Sequence, residues 1–495
     1  MADELDVLLV FPNNRRNAYG SLADTHAGIN APLQTALTAG YVRKAGYRVR
    51  VLDADAEYLS PEETAARIAA AGARLTLIST DSLNSGDVTK MGAASDLLKV
   101  LKKTAPGLTT MLEGVVPSAF PEQMLLEEGA DFVCQGEAFD QVVDLLKVLK
   151  AGKPHPESKL SGVSWMDGGK PVVGGRRALI KNPDSLPFAA WDLLPMSRYR
   201  AHHWHCFDRL DRRQPYASLY TNLGCPYTCS FCNVNAVAGT ANFRARTPEN
   251  VVEEIDLLVK QYGVSNIRIV DNVFTIRPDL VEKLCDLIIA RGYDLNFWAY
   301  CRVETIKSPE LLRKMKKAGV NWVAYGIEAA DAGVRDAVDK GSSQAVIDRA
   351  IDLTRQAGIN IVGNFIFGLP EDTRETMQKT FDMAKKYQFE YANFYSAMAY
   401  PGTELHEQAK REGIRLPATW KGYGQYSEDA LPMSTKHLSP AEVLAFRDRA
   451  FIEYTSDPQY LDLVRRKFGE PAVDFLQGLL KIKLRRRLLE TAAAT

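Results

Sequence analysis

Apolar residues along the chain form two series of short runs that alternate with helix-spaced segments. In the first series, the apolar runs Leu5–Phe11 and Leu75–Ser79 alternate with segments of helical period such as Ala31–Gly46 and Ser60–Ala71. Strands that alternate with helices predict a doubly wound parallel sheet, whose ligand site lies beyond the carboxyl ends of the strands. The predicted strands are Leu5–Phe11, Arg48–Asp53, Leu75–Ser79, Thr109–Glu113 and Asp131–Cys134.

A second series of six strand and helix units follows, and it predicts a partial (β/α)6 TIM-like barrel. Right-handed crossovers between parallel strands bring all six strands into one curved sheet that stays open on one side. The predicted strands are Ala217–Leu223, Asn266–Asn272, Leu295–Arg302, Trp322–Glu328, Asn360–Gly368 and Tyr391–Tyr400. The predicted helices are Val251–Tyr262, Leu280–Ala290, Pro309–Ala318, Gln344–Ala357 and Arg374–Lys386.

These patterns divide the chain into four parts. We expect an N-terminal Rossmann-like domain at 1–150, a linker at 151–210, the partial barrel at 211–410 and a helical C-terminal domain at 411–495. The linker is rich in Gly, Pro and Arg, and we expect it to be irregular apart from a strand-like piece at Gly162–Trp165. Its end, Ala201–Cys206, has metal-ligating residue types, but the commoner explanation is a loop that lines the interdomain cleft, with Trp204 covering a flat ligand.

Composition narrows the classes of function. The chain has 495 residues, with 61 Lys and Arg against 61 Asp and Glu, so no net field attracts it to nucleic acid or to an anionic membrane. It has no run of about 18 apolar residues and no basic-then-apolar leader, from which we expect no membrane span and a cytoplasmic location. Seven cysteines, three of them clustered, fit reduced thiols and a cluster better than disulfides.

The clustered cysteines are Cys225, Cys229 and Cys232, in the loop after the first predicted barrel strand. Four cysteines normally hold an iron–sulfur cubane, so three thiolates in one loop leave one iron open to a ligand that is not protein. Structural zinc sites add a second pair of Cys or His farther along the chain, and none follows nearby. A structural zinc and three buried thiols are the alternatives, although Gly224 and Pro226 indicate a loop rather than core positions.

The cysteine motif, with Phe231 just before the last cysteine, resembles the cluster loop of the radical S-adenosylmethionine enzymes. The resemblance implies a 4Fe-4S cluster whose open iron is chelated by the amino and carboxylate groups of S-adenosylmethionine. It also implies a six-unit barrel with this loop at the carboxyl end of the first strand. Gly326-Ile-Glu-Ala329 and Gly363–Pro370 resemble further segments of that family, with Ala329 in place of a serine.

The carboxyl ends of the barrel strands supply the candidates for S-adenosylmethionine binding. Arg302 suits the methionine carboxylate and Glu328 suits the ammonium or the ribose hydroxyls, while the backbone of Phe231 is expected near the adenine. Tyr395 and Asp271 are the candidate catalytic residues, and for Asp271 an ordinary structural polar group is the alternative. The other cofactor-binding candidates are Asn272, Gly326, Asn364 and Gly368.

The first domain resembles the cobalamin-binding domain that precedes many radical S-adenosylmethionine domains. The resemblance rests on Phe11-Pro12, Ala31–Gln34, a Gly-x-x-Pro loop after the fourth strand and Gly136-Glu137 after the fifth; a flavodoxin-like sheet without cofactor is the alternative. Asp24-Thr-His26 does not match the cobalt-binding motif of the mutases, so we expect no axial histidine from this domain. The implied cobalamin-binding residues are Pro12, Asn13, Ser79, Thr80, Asp81, Ser82, Glu113, Gly114, Val115, Ser118, Gln135, Gly136 and Glu137.

Together the resemblances imply a cobalamin-dependent radical methyltransferase that acts on an unactivated carbon of a small biosynthetic molecule. In the family, a reduced cluster cleaves S-adenosylmethionine to a 5′-deoxyadenosyl radical, methylcobalamin supplies the methyl group, and an electron donor such as flavodoxin or ferredoxin is the partner. A radical cyclase, ring contractase or oxidative enzyme without methyl transfer is one alternative. A methylthiotransferase on tRNA would need more cluster cysteines in the first domain than Cys134, and a non-catalytic zinc or iron protein is the remaining class.

Overall fold

The computed structural model describes residues 5–23, 27–80 and 88–492 of the chain. The first sheet consists of β1 (Val7–Phe11), β2 (Val49–Asp53), β3 (Leu75–Ser79), β4 (Thr110–Glu113), β5 (Phe132–Cys134), β6 (Val163–Asp167) and β7 (Lys170–Val172). Its strand order is β2-β1-β3-β4-β5-β6-β7. The first five strands pair in parallel, and the last two are added in antiparallel orientation.

Helices cover both faces of this sheet, which confirms the predicted doubly wound architecture. Leu8 and Val10 belong to one apolar cluster, whereas Val7 and Leu9 belong to another on the opposite face. Burial of each such side chain stabilises the fold by about 1.5–3 kcal/mol, and two-sided burial explains the continuous apolar runs. The helices of this part are α1 (Arg15–Tyr19), α2 (Leu33–Lys44), α3 (Pro61–Ala71), α4 (Thr89–Thr104), α5 (Val115–Ala119), α6 (Pro121–Leu126) and α7 (Asp140–Lys150).

The hairpin of β6 and β7 lies in the segment that we expected to be largely irregular. Asp167 pairs with Lys170, which leaves Gly168 and Gly169 as a two-residue turn with φ of 53° and 81°. A Gly-Gly pair between strand-forming residues is the signal for such a turn, and it was present in the sequence. Because β6 pairs with β5, the hairpin extends the first sheet.

The second sheet has six parallel strands in the order of the chain, so the predicted partial barrel is also confirmed. A two-stranded antiparallel pair follows its first strand. The strands are β8 (Tyr216–Leu219), the pair β9 (Asn222–Leu223) and β10 (Arg244–Ala245), β11 (Asn266–Ile269), β12 (Asn296–Cys301), β13 (Val320–Glu328), β14 (Asn360–Phe367) and β15 (Tyr391–Ser396). The helices between them are α8 (Pro248–Tyr262), α9 (Pro278–Arg291), α10 (Pro309–Lys317), α11 (Ala332–Asp336), α12 (Gln344–Gln356) and α13 (Arg374–Tyr387).

The last part of the chain is helical, as predicted, and it packs beside the barrel. Its helices are α14 (Glu404–Arg411), α15 (Pro440–Ser456), α16 (Pro458–Phe468), α17 (Glu470–Leu480) and α18 (Arg487–Ala492). Helix α15 covers the edge strand β15, where Arg447 Nε donates a hydrogen bond to the carbonyl of Phe394 at 2.7 Å. Within the described ranges, every helix is too short or too polar to cross a membrane.

The segment Ala201–Cys206 does not present Trp204 to a ligand, contrary to our expectation. The Trp204 ring stacks against His202 and Tyr391, with ring centroids 4.2 and 5.2 Å apart. His202 is buried and accepts a hydrogen bond from the Gly28 N–H at 3.0 Å. Tyr391 is the first residue of β15, so Trp204 fills the amino end of the barrel instead of the cleft.

Candidate functional site

A cavity of about 480 Å³ lies between the carboxyl end of the barrel and the first sheet. Its barrel wall contains the three clustered cysteines and the ends of β11 to β15. Its other wall comes from the loops after β1 and β2 and from α4, and it includes Phe11, Asn14, Arg15, Asp55 and Lys90. The carboxyl ends of both sheets therefore face one common space.

The cysteine loop is held in place by its backbone. Gly224 begins the loop with a φ of 84°, and a side chain at this position would collide with Asn242. The N–H of Ser230 donates to the carbonyl of Val338 at 3.2 Å, and the N–H of Leu405 donates to the carbonyl of Ser230 at 2.9 Å. The loop is thus anchored to segments after α11 and at the start of α14.

Asp271 fixes the root of this loop. Its carboxylate accepts hydrogen bonds from the backbone N–H groups of Thr221 and Asn222, at 2.7 and 3.2 Å, and from the hydroxyl of Thr221. Burial raises the pKa of this carboxyl to about 7, although these donors act in the opposite direction. Asp271 is buried and is not among the described residues that line the cavity. The geometry supports a positioning role instead of the catalytic role that we predicted.

The three thiols suit a cluster better than a single metal ion. None of them forms a disulfide. Among the residues that the structure describes, no three His, Cys, Asp or Glu side chains are placed to hold one ion, whereas a cubane takes each cysteine on a different iron. Burial raises the pKa of Cys232 to about 11 and also raises that of Cys225, and metal ligation would offset this because it deprotonates thiols.

Arg302 follows β12 and reaches the cysteine loop. Its Nη1 donates to Cys229 Sγ at 3.3 Å, and its guanidinium lies 3.9 Å from the centroid of the Tyr227 ring. The other side of the guanidinium pairs with Glu304 at 2.7 Å. Hydrogen bonds to cysteine sulfur are among the factors that set the potential of iron–sulfur clusters, so Arg302 would affect the potential of a cluster held by this loop. Its contact with Tyr227 was not predicted.

Glu328 ends β13 in an uncommon conformation. Its φ is 67°, which few residues other than glycine adopt, and the pairing of β13 with β14 shifts register at this point. The carboxylate pairs with Lys340 Nζ at 3.0 Å, and both side chains are buried. At Gly326, an added Cβ would lie 2.9 Å from Lys340 Nζ and closer still to the Glu328 carboxylate. Lys340 lines the cavity, but no motif in the sequence identified it.

The structure brings most of the other barrel candidates to the cavity. Phe231, Asn272, Asn364 and Tyr395 line it, whereas Gly368 is not among its described lining. The Asn364 side-chain amide donates to a backbone carbonyl of β13 at 3.2 Å, which fixes its orientation. Gly368 has a φ of 82°, and a side chain there would collide with α15. Gly368 therefore serves the packing of the barrel edge.

The predicted cobalamin-binding residues after β3, β4 and β5 form two buried, hydrogen-bonded groups. Ser79 donates to the carboxylate of Glu113, the Thr80 hydroxyl donates to the Glu113 carbonyl at 2.9 Å, and the Gly136 N–H donates to Ser118 Oγ at 3.1 Å. These residues are not among the described lining of the cavity. Asp81, Ser82 and the Asp24–His26 motif lie outside the described residues. The same loops contain Gly114, Val115 and Gln135.

Glu137 connects the first sheet to the barrel. Its carboxylate accepts two hydrogen bonds from the Arg244 guanidinium, at 2.7 and 3.0 Å, and one from the Ile180 N–H at 3.1 Å. Val115 on α5 contacts Ala236, just beyond the cysteine loop. We define these contacts of Glu137 and Val115 with the barrel as the interdomain tie.

The loop after β1 contributes to the cavity, but not through the residues we predicted. Pro12 and Asn13 line a separate hollow of about 510 Å³, while Asn14 and Arg15 line the main cavity. The side-chain amide of Asn14 donates to Thr89 Oγ1 at 2.9 Å, and its Oδ1 is buried with no partner in the part of the chain that the structure describes. Asn14 is thus a site residue that sequence reasoning missed by one or two positions.

Two protein families match the chain. The radical SAM superfamily matches residues 219–384, which span the cysteine loop and most of the barrel. The B12 binding domain matches residues 21–146, within the first sheet and its helices. The two matches follow the division of the cavity into a barrel wall and a sheet wall.

Individual proteins are similar along most of the chain. The uncharacterized methyltransferase PH0819 of Pyrococcus horikoshii is 29% identical over 433 residues, which cover 87% of this chain and 89% of that protein. Anaerobic magnesium-protoporphyrin IX monomethyl ester cyclase of Cereibacter sphaeroides is 28% identical over 446 residues, which cover 88% and 68%. The solved structure of the radical S-adenosylmethionine methyltransferase TsrM from Kitasatospora setae, with cobalamin and 4Fe-4S cluster bound, aligns with a TM-score of 0.69 and 17% identity, covering 97% of this chain and 100% of that chain. This last likeness shows the fold.

Proposed function

The chain belongs to the cobalamin-dependent radical S-adenosylmethionine family, and from this premise we propose that it methylates an unactivated carbon of a small biosynthetic molecule. The observation that carries the proposal is the common cavity, whose lining joins the three cysteines to residues at the carboxyl edge of the first sheet. Ligands of doubly wound sheets and of parallel barrels bind at these ends. When bound, the cluster, S-adenosylmethionine and cobalamin supply the radical and methyl-transfer chemistry.

The barrel wall has separate residues for the cluster and for S-adenosylmethionine. The three thiolates of the cysteine loop hold the cluster, and Arg302 donates a hydrogen bond to one of them. Glu328, which pairs with Lys340 at 3.0 Å, accepts hydrogen bonds from the ammonium or ribose hydroxyls. Asn364 and the backbone of Phe231 contact the adenosyl part, because both line the cavity beside the loop.

Cobalamin binds the loops after β1, β3, β4 and β5 of the first sheet. Of these loops, as far as the structure describes them, only the one after β1 lines the common cavity. The buried hydrogen bonds of Glu113 with Ser79 and Thr80 make these loops rigid, and the interdomain tie fixes their separation from the barrel. A fixed separation favours reaction between groups on opposite walls.

Relatives named cyclases support a second candidate function. The Cereibacter sphaeroides cyclase is similar over 88% of this chain, so a radical cyclisation or oxidation that uses cobalamin without methyl transfer is the alternative. The two reactions differ in their consumption of S-adenosylmethionine. A methyltransferase uses one molecule for the radical and one as methyl donor, whereas a cyclase uses only the first.

Isotope labelling tests the proposed function. The full chain is reconstituted anaerobically with iron, sulfide and hydroxocobalamin, and it receives S-adenosylmethionine with a deuterated methyl group and a flavodoxin as electron donor. We expect 5′-deoxyadenosine, S-adenosylhomocysteine and deuterated methylcobalamin, each measured by mass spectrometry. Formation of 5′-deoxyadenosine with undeuterated cobalamin and no S-adenosylhomocysteine would instead support the cyclase.

The space at Gly326 gives a prediction for S-adenosylmethionine binding. We expect Gly326→Ala to displace the Glu328–Lys340 pair, because the added Cβ lies 2.9 Å from Lys340 Nζ and closer to Glu328. Loss of a charged hydrogen bond weakens binding by roughly tenfold or more, as measured by titration calorimetry of the anaerobic holoenzyme. Gly341→Ala is the matched control, since its nearest neighbour lies at 3.5 Å, and equal affinity in both variants would contradict the role of Glu328.

A further inference from the structure

Arg268 carries a guanidinium deep inside the barrel. It is in register with Ser218 on β8 and with Trp298 on β12, and it lines the cavity together with Val270 and Asn272. Residues two apart along a strand share one face, and four residues of extended chain span at most about 13 Å. Arg268 is therefore on the same inward face as Asn272 but farther from the cysteine loop.

The guanidinium of Arg268 has no described carboxylate beside it, unlike three other cations that line the cavity. Arg15, Arg302 and Lys340 each have a carboxylate nearby, at 3.9, 2.7 and 3.0 Å. The ionisable groups around Arg268 are tyrosines, among them Tyr300, and the buried histidines His202 and His205. No described carboxylate pairs with it. The barrel wall thus presents one positive charge that no described side chain compensates.

The donors of Arg268 are also largely unused. Nη2 donates to the Tyr300 hydroxyl at 3.3 Å, while Nε is buried and has no hydrogen-bond partner among the described residues. The rings of Trp298 and Tyr300 lie 5.5 Å from the guanidinium. A buried charge with unmet hydrogen bonds is costly for the fold, and an anion in the cavity would satisfy both the charge and the donors.

We propose that Arg268 binds a carboxylate of the substrate, and that the substrate is a carboxylic acid with a flat, apolar body. The inference rests on the proposed function, because it assigns the group that orients the substrate in that same cavity. The guanidinium fork matches a planar carboxylate, and its single charge matches a monoanion better than a phosphate dianion. Tyr300 and Tyr395 add aromatic surface to the cavity, which favours a flat body.

The methionine carboxylate of S-adenosylmethionine has its own candidate cation. Arg302 lies beside Cys229, where an amino acid chelating the cluster would be, whereas Arg268 is on the strand before it and closer to the amino end of the barrel. The two arginines therefore serve two different anions, and the depth of Arg268 assigns it to the substrate.

Three related probes test the charge preference of the site. The anaerobic holoenzyme with S-adenosylmethionine bound is titrated with 1-naphthoate, its neutral analogue 1-naphthamide, and 1-naphthylphosphonate. We expect the carboxylate to bind roughly tenfold more tightly than the amide and more tightly than the phosphonate. This preference should disappear in Arg268→Met and persist in Arg313→Met, a control on the exposed face of α10. Equal binding of acid and amide to the wild type, or a preference that survives in Arg268→Met, would overturn the proposal.

Thermal stability without a probe gives a second, independent readout. A guanidinium that serves to bind an anion destabilises the protein while no anion is bound. We therefore expect Arg268→Met to melt at the same temperature as wild type or higher. A lower melting temperature together with unchanged probe preference would make Arg268 a structural residue. Loss of S-adenosylmethionine affinity in this variant, with the acid preference retained, would assign Arg268 to the methionine carboxylate. None of these readouts requires turnover, so a failure of the labelling experiment remains distinguishable from a failure of this proposal.

Discussion

Replacing Cys229 by alanine is expected to abolish formation of 5′-deoxyadenosine. Two remaining thiolates in the loop cannot hold a cubane whose fourth iron must stay open, and the Arg302 guanidinium would lose its sulfur acceptor at 3.3 Å. The rate should fall by at least about a thousandfold, the scale reached when a single essential group is removed. The measurement is mass spectrometry of 5′-deoxyadenosine, together with iron and sulfide analysis of the anaerobically reconstituted variant.

Cys285→Ala is the matched control for this loss. Cys285 is buried in α9 and is not among the described residues that line the cavity, so the same chemical change should leave iron content and product formation near wild type. A Cys229→Ala variant that keeps full iron and sulfide content and forms product at the normal rate would sink the cluster assignment. Zinc in place of iron in the anaerobic wild type would do the same.

Glu254→Ala is expected to cause the largest loss of stability. Glu254 and Arg246 form an ion pair at 2.7 Å with side chains 0% and 1% exposed, and the second carboxylate oxygen accepts hydrogen bonds from the Ala189 N–H and from Trp191 Nε1. Removing the carboxylate leaves a buried guanidinium and two donors uncompensated. We expect the free energy of unfolding to fall by about 3–5 kcal/mol, measured by urea unfolding.

Two further variants separate loss of charge pairing from loss of helix propensity. Glu249→Ala removes an exposed carboxylate from the same helix, one that pairs with Lys283 on the surface, and it should leave the urea midpoint unchanged. Because apolar residues often replace a buried ion pair without cost, we expect Arg246→Met with Glu254→Leu to be more stable than Glu254→Ala alone. Equal loss in the Glu249 and Glu254 variants would contradict the burial argument.

The cysteine loop and the elements were predictable because their signals are local. Three cysteine ligands within one short loop can be identified without knowledge of tertiary contacts, and strands that are buried on both faces are visible as apolar runs. The start of the predicted helical segment Ser60–Ala71 was equally clear, since Ser60 forms a capping box there. The parallel pairing of the strands in both series then followed from the rules for connections through helices.

Partners that are distant in sequence were not predictable. Lys340 pairs with Glu328 across a turn and a short helix, and nothing in its own neighbours marks it as a cavity residue. Glu137 ends a loop that we predicted to bind a ligand, yet its carboxylate accepts a hydrogen bond from Arg244 of the barrel. The partner of a loop carboxylate depends on which cation the other domain places beside it, and the sequence does not show this. Trp204 likewise stacks on Tyr391 at the amino end of the barrel, a contact that depends on tertiary packing.

The interdomain tie also limits how this protein can be recombined with its relatives. A chimera that exchanged only the first 210 residues would keep Arg244 and Ala236 while replacing their partners Glu137 and Val115. Moving the junction to a point after residue 246 would restore these two contacts, but it would separate Arg246 from Glu254 and Cys229 from Arg302. A functional chimera would therefore have to exchange the first sheet and the whole barrel together, because each of these junctions divides contacts that hold the two parts in place.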